Sequence, residues 1–151
     1  MGATTHIATL HQPDDNESNI NAGIVTASRL KHVNVLFDTG AVNGNYVNEE
    51  LAAELQNLGH VRQYGNDELV CGCFGDCKRT GGTLNVRVRI FSGSICVNEF
   101  ECLTKVLDFK KSFNLVLGKE TLIQNNLLQL LQTPTHYARH PLTKSRLTEQ
   151  F

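Results

Sequence analysis

Val35-Leu36-Phe37-Asp38-Thr39-Gly40-Ala41 decides how this chain is read: an apolar run ends abruptly in a carboxylate, a small hydroxyl and a glycine. The run belongs to His32–Phe37, which has the β-branched and apolar character of a buried strand. An aspartate at the end of such a strand loses solvation in its charged form. It persists where hydrogen bonds and a partner compensate, or where its altered pKa is used. Gly40 removes a side chain from beside the carboxylate and lets a backbone or a substrate approach. An Asp-Thr-Gly triplet is short, so its meaning depends on what surrounds it.

Working outward, Ala22–Ser28 is a second short apolar run, and Arg29-Leu30-Lys31 between the two suits a hairpin connection. Downstream, Asn48 can cap a helix that carries Leu51, Ala52, Leu55 and Leu58 on one face; Glu49 and Glu50 suit its positive end, and Gly59 stops it. Leu84–Ile90 alternates strictly, with Leu84, Val86, Val88 and Ile90 facing one way and Asn85, Arg87 and Arg89 the other. Ser92-Gly93-Ser94 turns the chain, and Ile95–Leu103 returns as the partner strand. Phe113–Gly118 is another apolar strand ending in glycine, and a short helix follows from Lys119 to about Asn125. Periodicity leaves Leu127–Leu131 open between helix and strand.

With 151 residues, the chain has room for one domain with a full-sized core. Fourteen Lys+Arg against fifteen Asp+Glu leave a net charge of −1, which argues against a nucleic-acid grip based on bulk positive charge. No apolar stretch reaches the roughly 18–20 residues of a membrane helix, and Met1–Asn21 does not read as a secretory signal. Residues 1–20 are expected to be a disordered leader, 21–132 the folded domain, and 133–151 a tail or polyprotein linker. Five cysteines, an odd and modest number, favour reduced thiols and a cytoplasmic setting.

The order of motifs resembles the retropepsins, the aspartic proteases of retroviruses and LTR retrotransposons, over about Ala22 to Leu131: an apolar strand into Asp-Thr-Gly-Ala, an alternating hairpin, then Leu-Val-Leu-Gly before a short helix. The helix Asn48 to Leu58 after the Asp-Thr-Gly-Ala loop, and the wording Leu-Val-Leu-Gly-Lys-Glu-Thr-Leu followed by Asn126-Leu127-Leu128, make it look closer to the proteases of gypsy-type LTR retrotransposons than to retroviral ones. The resemblance implies a mainly β, closed-barrel acid-protease fold with one or two short helices, working as a homodimer. It makes Asp38 the catalytic carboxylate and Thr39, Gly40 and Ala41 the active-site loop, with Thr39 bonding across the dimer axis and the Gly40 carbonyl receiving a substrate amide. Leu117 and Gly118 become structural support beneath that loop. Lys119 stands where many relatives carry Arg, and Val42-Asn43 after the alanine is also unusual.

The chemistry agrees with the name. Two close carboxylates sharing one proton can activate water and polarise a peptide carbonyl without metal or covalent intermediate, so no cofactor is called for. No other aspartate is followed by a small residue and then glycine, so the second carboxylate has to come from a second chain. Asp67–Gly82 falls where a retropepsin has its flap, and Gly72, Phe74, Gly75 and Asp76 are the candidate flap and substrate-binding residues. Cys71, Cys73 and Cys77 lie in the same segment. Their spacing lacks the paired knuckles and nearby His of a zinc site, so the reading includes no metal. The expectation is an aspartic endopeptidase that cuts its own retroelement polyprotein as an extended substrate, without nucleic acid or membrane, in the cytoplasm or within virus-like particles. A non-catalytic dimerisation or peptide-binding module that keeps the same fold is the alternative, and a small metal-binding domain a third.

Overall fold

Short strands with runs of buried side chains, and one strand that alternates between core and solvent, build most of this molecule. The computed structural model describes residues 20–72 and 76–131. The expected leader up to residue 19, the tail, and Cys73, Phe74 and Gly75 fall outside those residues; Ile20, the last residue of the expected leader, already belongs to the first strand.

β1 (Ile20–Val25) turns at Thr26, whose hydroxyl and amide both bond to the Arg29 carbonyl, and returns as β2 (Leu30–Val33). Leu30 and Lys31 therefore belong to the strand and not to the turn. β2 ends at Val33, and β3 (Val35–Asp38) leaves the hairpin to pair elsewhere, so the single strand expected over His32–Phe37 is two. β4 (Asn45–Asn48) leads directly into α1 (Glu49–Asn57), and the Asn48 side chain accepts the Leu51 amide at 2.9 Å. That bond is the expected N-cap; Leu51, Ala52 and Leu55 are the buried face.

The chain continues through β5 (Leu69–Cys71), β6 (Cys77–Arg79), β7 (Thr83–Ser92), β8 (Ile95–Leu107), β9 (Leu115–Gly118), α2 (Lys119–Gln124) and α3 (Leu128–Leu131). β7 keeps the alternation its sequence announces: Leu84, Val86, Val88 and Ile90 are buried while Asn85 and Arg87 are exposed. β8 runs beyond the expected Leu103 to Leu107, because Thr104–Leu107 pairs with β4 on its other edge, overlapping the β7 ladder at Thr104 and Lys105.

The main sheet has seven strands in the order β2-β1-β7-β8-β4-β9-β3 and is curled into a half-barrel, with β2 and β3 as its edges. β5 and β6 form a separate two-stranded hairpin. The larger core lies between the curled sheet and the helices, with Ile24, Leu51, Leu55, Val88, Leu115, Leu117 and Leu122 among its fully enclosed side chains. A second cluster gathers Leu36, Ala41, Tyr46, Val70, Leu107, Phe109, Phe113 and Val116.

One expectation is overturned and one ambiguity resolved. Cys71 and Cys77 are joined by a disulfide across β5 and β6, not held as reduced thiols; they are directly opposed residues of an antiparallel pair, the arrangement that brings two sulfur atoms within bonding range. The Leu127–Leu131 run, open between helix and strand from its sequence, is helical from Leu128 and turns back on its own chain. Leu127 is fully buried and Leu128 and Leu130 pack on the larger core.

Candidate active site

Asp38 owes its position to two backbone registers. β3 and β9 are parallel, so Leu36 lies beside Val116, Phe37 beside Leu117 and Asp38 beside Gly118. β9 also pairs with β4 on its other side, which sets Tyr46 against Val116. Side chains alternate along β3, so Asp38 projects to the same face as Leu36, that of the second cluster.

Gly118 is there because nothing larger fits. A Cβ on it would stand 2.2 Å from the Gly44 carbonyl oxygen and 2.5 Å from that of Ala41. The loop after Asp38 thus rests directly on the β9 backbone. Lys119 donates its amide to the Ala41 carbonyl at 2.9 Å, and Gly118 donates its own to the Asn45 side chain at 2.8 Å. The same Asn45 side chain donates to the Leu103 carbonyl at 3.2 Å, tying loop, β9 and β8 together. The Lys119 side chain is exposed, and among the described residues no ion pair involves it. Val42 and Asn43 are exposed, and the Asn43 carbonyl accepts Lys105 Nζ at 2.6 Å.

The carboxylate itself is fully buried. Asp38 Oδ1 accepts the Gly40 amide at 2.8 Å, a bond across two residues that folds the Asp-Thr-Gly segment into a tight turn. The Ala41 amide donates to the Asp38 backbone carbonyl at 3.1 Å and closes that turn. Oδ2 has no hydrogen-bond partner among the described residues. Burial disfavours the charged form and pushes the Asp38 carboxyl well above the ordinary carboxylate range, against the weaker opposing pull of the Gly40 and Ala41 amides. Tyr46, also fully enclosed, has its phenol pushed up by burial first and then by the charges of Glu68 and Asp38.

The remaining candidates divide by location. Thr39 and Gly40 are half-buried at the surface beside Asp38, and Ala41 is fully buried beneath them. Leu117 faces the larger core, opposite in sense to Asp38. In the flap segment, Gly72 donates its amide to the Asp76 carbonyl at 2.8 Å and so continues the β5–β6 hairpin toward its tip; Phe74 and Gly75 lie outside the described residues. Val70, from the same hairpin, is 3% exposed and joins Leu36 and Val116 in the second cluster, so the hairpin packs on the face that carries Asp38. Two of the three thiols of the zinc alternative are consumed by the disulfide. Among the described residues no group of three His, Cys, Asp or Glu side chains could hold a metal ion, and no helix is long and apolar enough to cross a membrane.

Asn45, Tyr46 and Val70 were not singled out from the sequence. Asn45 carried a readable signal, a polar side chain in a strand buried at every position, which is tolerated only when its hydrogen bonds are satisfied. Val70 did not, because only the folded hairpin brings it to this face. Comparison with protein-family models, curated proteins and solved structures gives no match to the chain.

Proposed function

We propose that this protein is a retropepsin-like aspartic endopeptidase of a retroelement, in which a water molecule is activated between two Asp38 carboxylates, one from each subunit of a homodimer. The observation that carries the reading is a buried carboxylate with one oxygen fixed by the Gly40 amide and the other unpartnered. A group held this way keeps a proton at pH values where an ordinary aspartate has lost it, as an acid-base pair requires of one member. A single chain provides one such group, and a pair that shares a proton needs another about 3 Å away. β3 is an edge strand, and the half-buried Thr39 and Gly40 beside it are the natural surface for a second copy. The substrate class that goes with this reading is an extended peptide with large apolar residues at the cleaved bond, such as the element's own polyprotein; Leu36, Val70 and Val116 are buried core beneath the Asp38 face.

The test is cleavage of an extended peptide of that kind by wild-type protein and by Asp38→Asn. Wild-type cleavage that disappears in the variant and is untouched by a chelator supports the reading. Undiminished cleavage by Asp38→Asn ends it. A folded dimer inert toward all such peptides favours the non-catalytic module, and loss of activity on chelation favours a metal-dependent chemistry.

A further inference from the structure

The β5–β6 hairpin is fastened by several backbone bonds at its base and, beyond it, chiefly by Val70 and a Lys78 bond to the Asp108 carbonyl. At the base, Gly81 donates to the Val106 carbonyl at 2.8 Å, Val106 to that of Gly82 at 2.9 Å, and Gly82 to the Asp67 carboxylate at 3.2 Å. Arg62 adds a bond from Nε to the Gly81 carbonyl at 2.7 Å while its guanidinium pairs with Glu49 at 2.8 Å, so the base is fastened to α1. Beyond the base, β5 and β6 share three residue pairs, flanked by the Glu68–Thr80 bonds at 2.9 Å and the Gly72–Asp76 bond at 2.8 Å; Lys78 Nζ reaches the Asp108 carbonyl, and all three residues of β6 are exposed. An isolated two-stranded hairpin is marginal in water. Here the Cys71–Cys77 bond is the covalent tie across it, one residue pair from Val70, the hairpin side chain buried on the Asp38 face.

We propose that the Cys71–Cys77 disulfide is a redox switch on the Asp38 site: formed, it holds the hairpin against the face that carries the carboxylate and the enzyme is competent; reduced, the hairpin loosens and activity falls. The step needs a dithiol reductant. One of its thiolates attacks a sulfur of the pair, its second thiolate closes the reductant to a cyclic disulfide, and two electrons and two protons leave Cys71 and Cys77 as thiols; a small-molecule disulfide reverses the exchange. Cys77 is exposed and Cys71 half-buried, which gives a reductant access. The described free cysteines suit the role less well. Burial pushes the Cys102 thiol up to about 12, so it stays protonated, and Cys96 lies ten residues along β8 from the anchor at Val106.

This inference rests on the peptidase reading, and the test separates the two. In a Cys73→Ser background, which leaves positions 71 and 77 as the pair in question, the protein is equilibrated in graded mixtures of reduced and oxidised dithiothreitol. Thiols are then trapped with iodoacetamide, and the chain is cut before Asp76, so that a surviving bond links two peptides. Amide exchange at Leu69–Cys71 and Cys77–Arg79, and kcat and KM on an apolar peptide, are measured on the same samples. Reduction should speed exchange at those amides and lower kcat/KM by about tenfold, mainly through KM, with full recovery on reoxidation. Cys71→Ser/Cys77→Ser should hold the low value in every mixture. Equal or faster cleavage in the reduced state, or exchange that ignores the bond, overturns the switch alone. No cleavage in any mixture overturns the peptidase reading and the switch with it.

Discussion

Asp38 combines a fully buried carboxyl with one oxygen on the Gly40 amide and another on no described partner, which makes it costly to the fold wherever it must ionise. Its folded pKa lies above the unfolded value of about 3.9, so the folded chain binds more protons than the unfolded chain once pH exceeds that value. Stability should fall as pH rises from there through the folded pKa. Asp38→Asn removes the cost and nearly keeps the shape. Its melting temperature should exceed that of wild type by roughly 4 °C or more at pH 7, about what 1 kcal/mol is worth in a domain of this size, and the gain should vanish below about pH 4. Thermal melts of both proteins across that range check it; a wild type more stable at pH 7 would contradict the burial argument. Activity should pass through a mildly acidic optimum, lost at high pH when the shared proton leaves and in strong acid when both carboxyls protonate. A rate still climbing beyond pH 8 would indicate another base. Gly118 has no comparable freedom to change: Gly118→Ala places a methyl 2.2 Å from the Gly44 carbonyl oxygen and should cost about 3 kcal/mol or more in denaturant unfolding.

Among the elements, local chemistry was legible and long-range pairing was not. Asn48, Glu49, Leu51 and Leu55 announce α1 because a cap and a 3.6-residue stripe are written within ten residues; the strict alternation of Leu84–Ile90 announces β7 for a similar reason. The parting of β3 from β2 leaves no local mark, since β3 is held by a parallel strand some eighty residues away. The disulfide was hidden too: spacing gives three nearby cysteines, and only the hairpin register shows which two face each other. Leu127–Leu131 reads as buried from its apolar run, but the run does not say against what, nor whether it is helix or strand. Since Leu127 is fully buried in its own chain's core, Leu127→Ala should cost about 2–5 kcal/mol of folding stability in denaturant unfolding at any protein concentration. A loss seen only in dilute samples would give the run an intersubunit role instead.

At the scale of the whole molecule, the proposed site draws one carboxylate from each chain, and one chain provides Asp38 and the surface around it. The curled sheet supplies a rigid floor, the turn from Asp38 to Ala41 rests on Gly118, and the hairpin closes the face from above. If two copies complete the site, mixing in excess Asp38→Asn chains should suppress wild-type activity, because most wild-type chains would then sit opposite an asparagine. The most direct measurement is specific activity and sedimentation on the same dilution series. The shared-site account predicts that activity per chain falls in step with dissociation and is absent from samples that sediment as monomers. Full activity per chain in monomeric samples would contradict it.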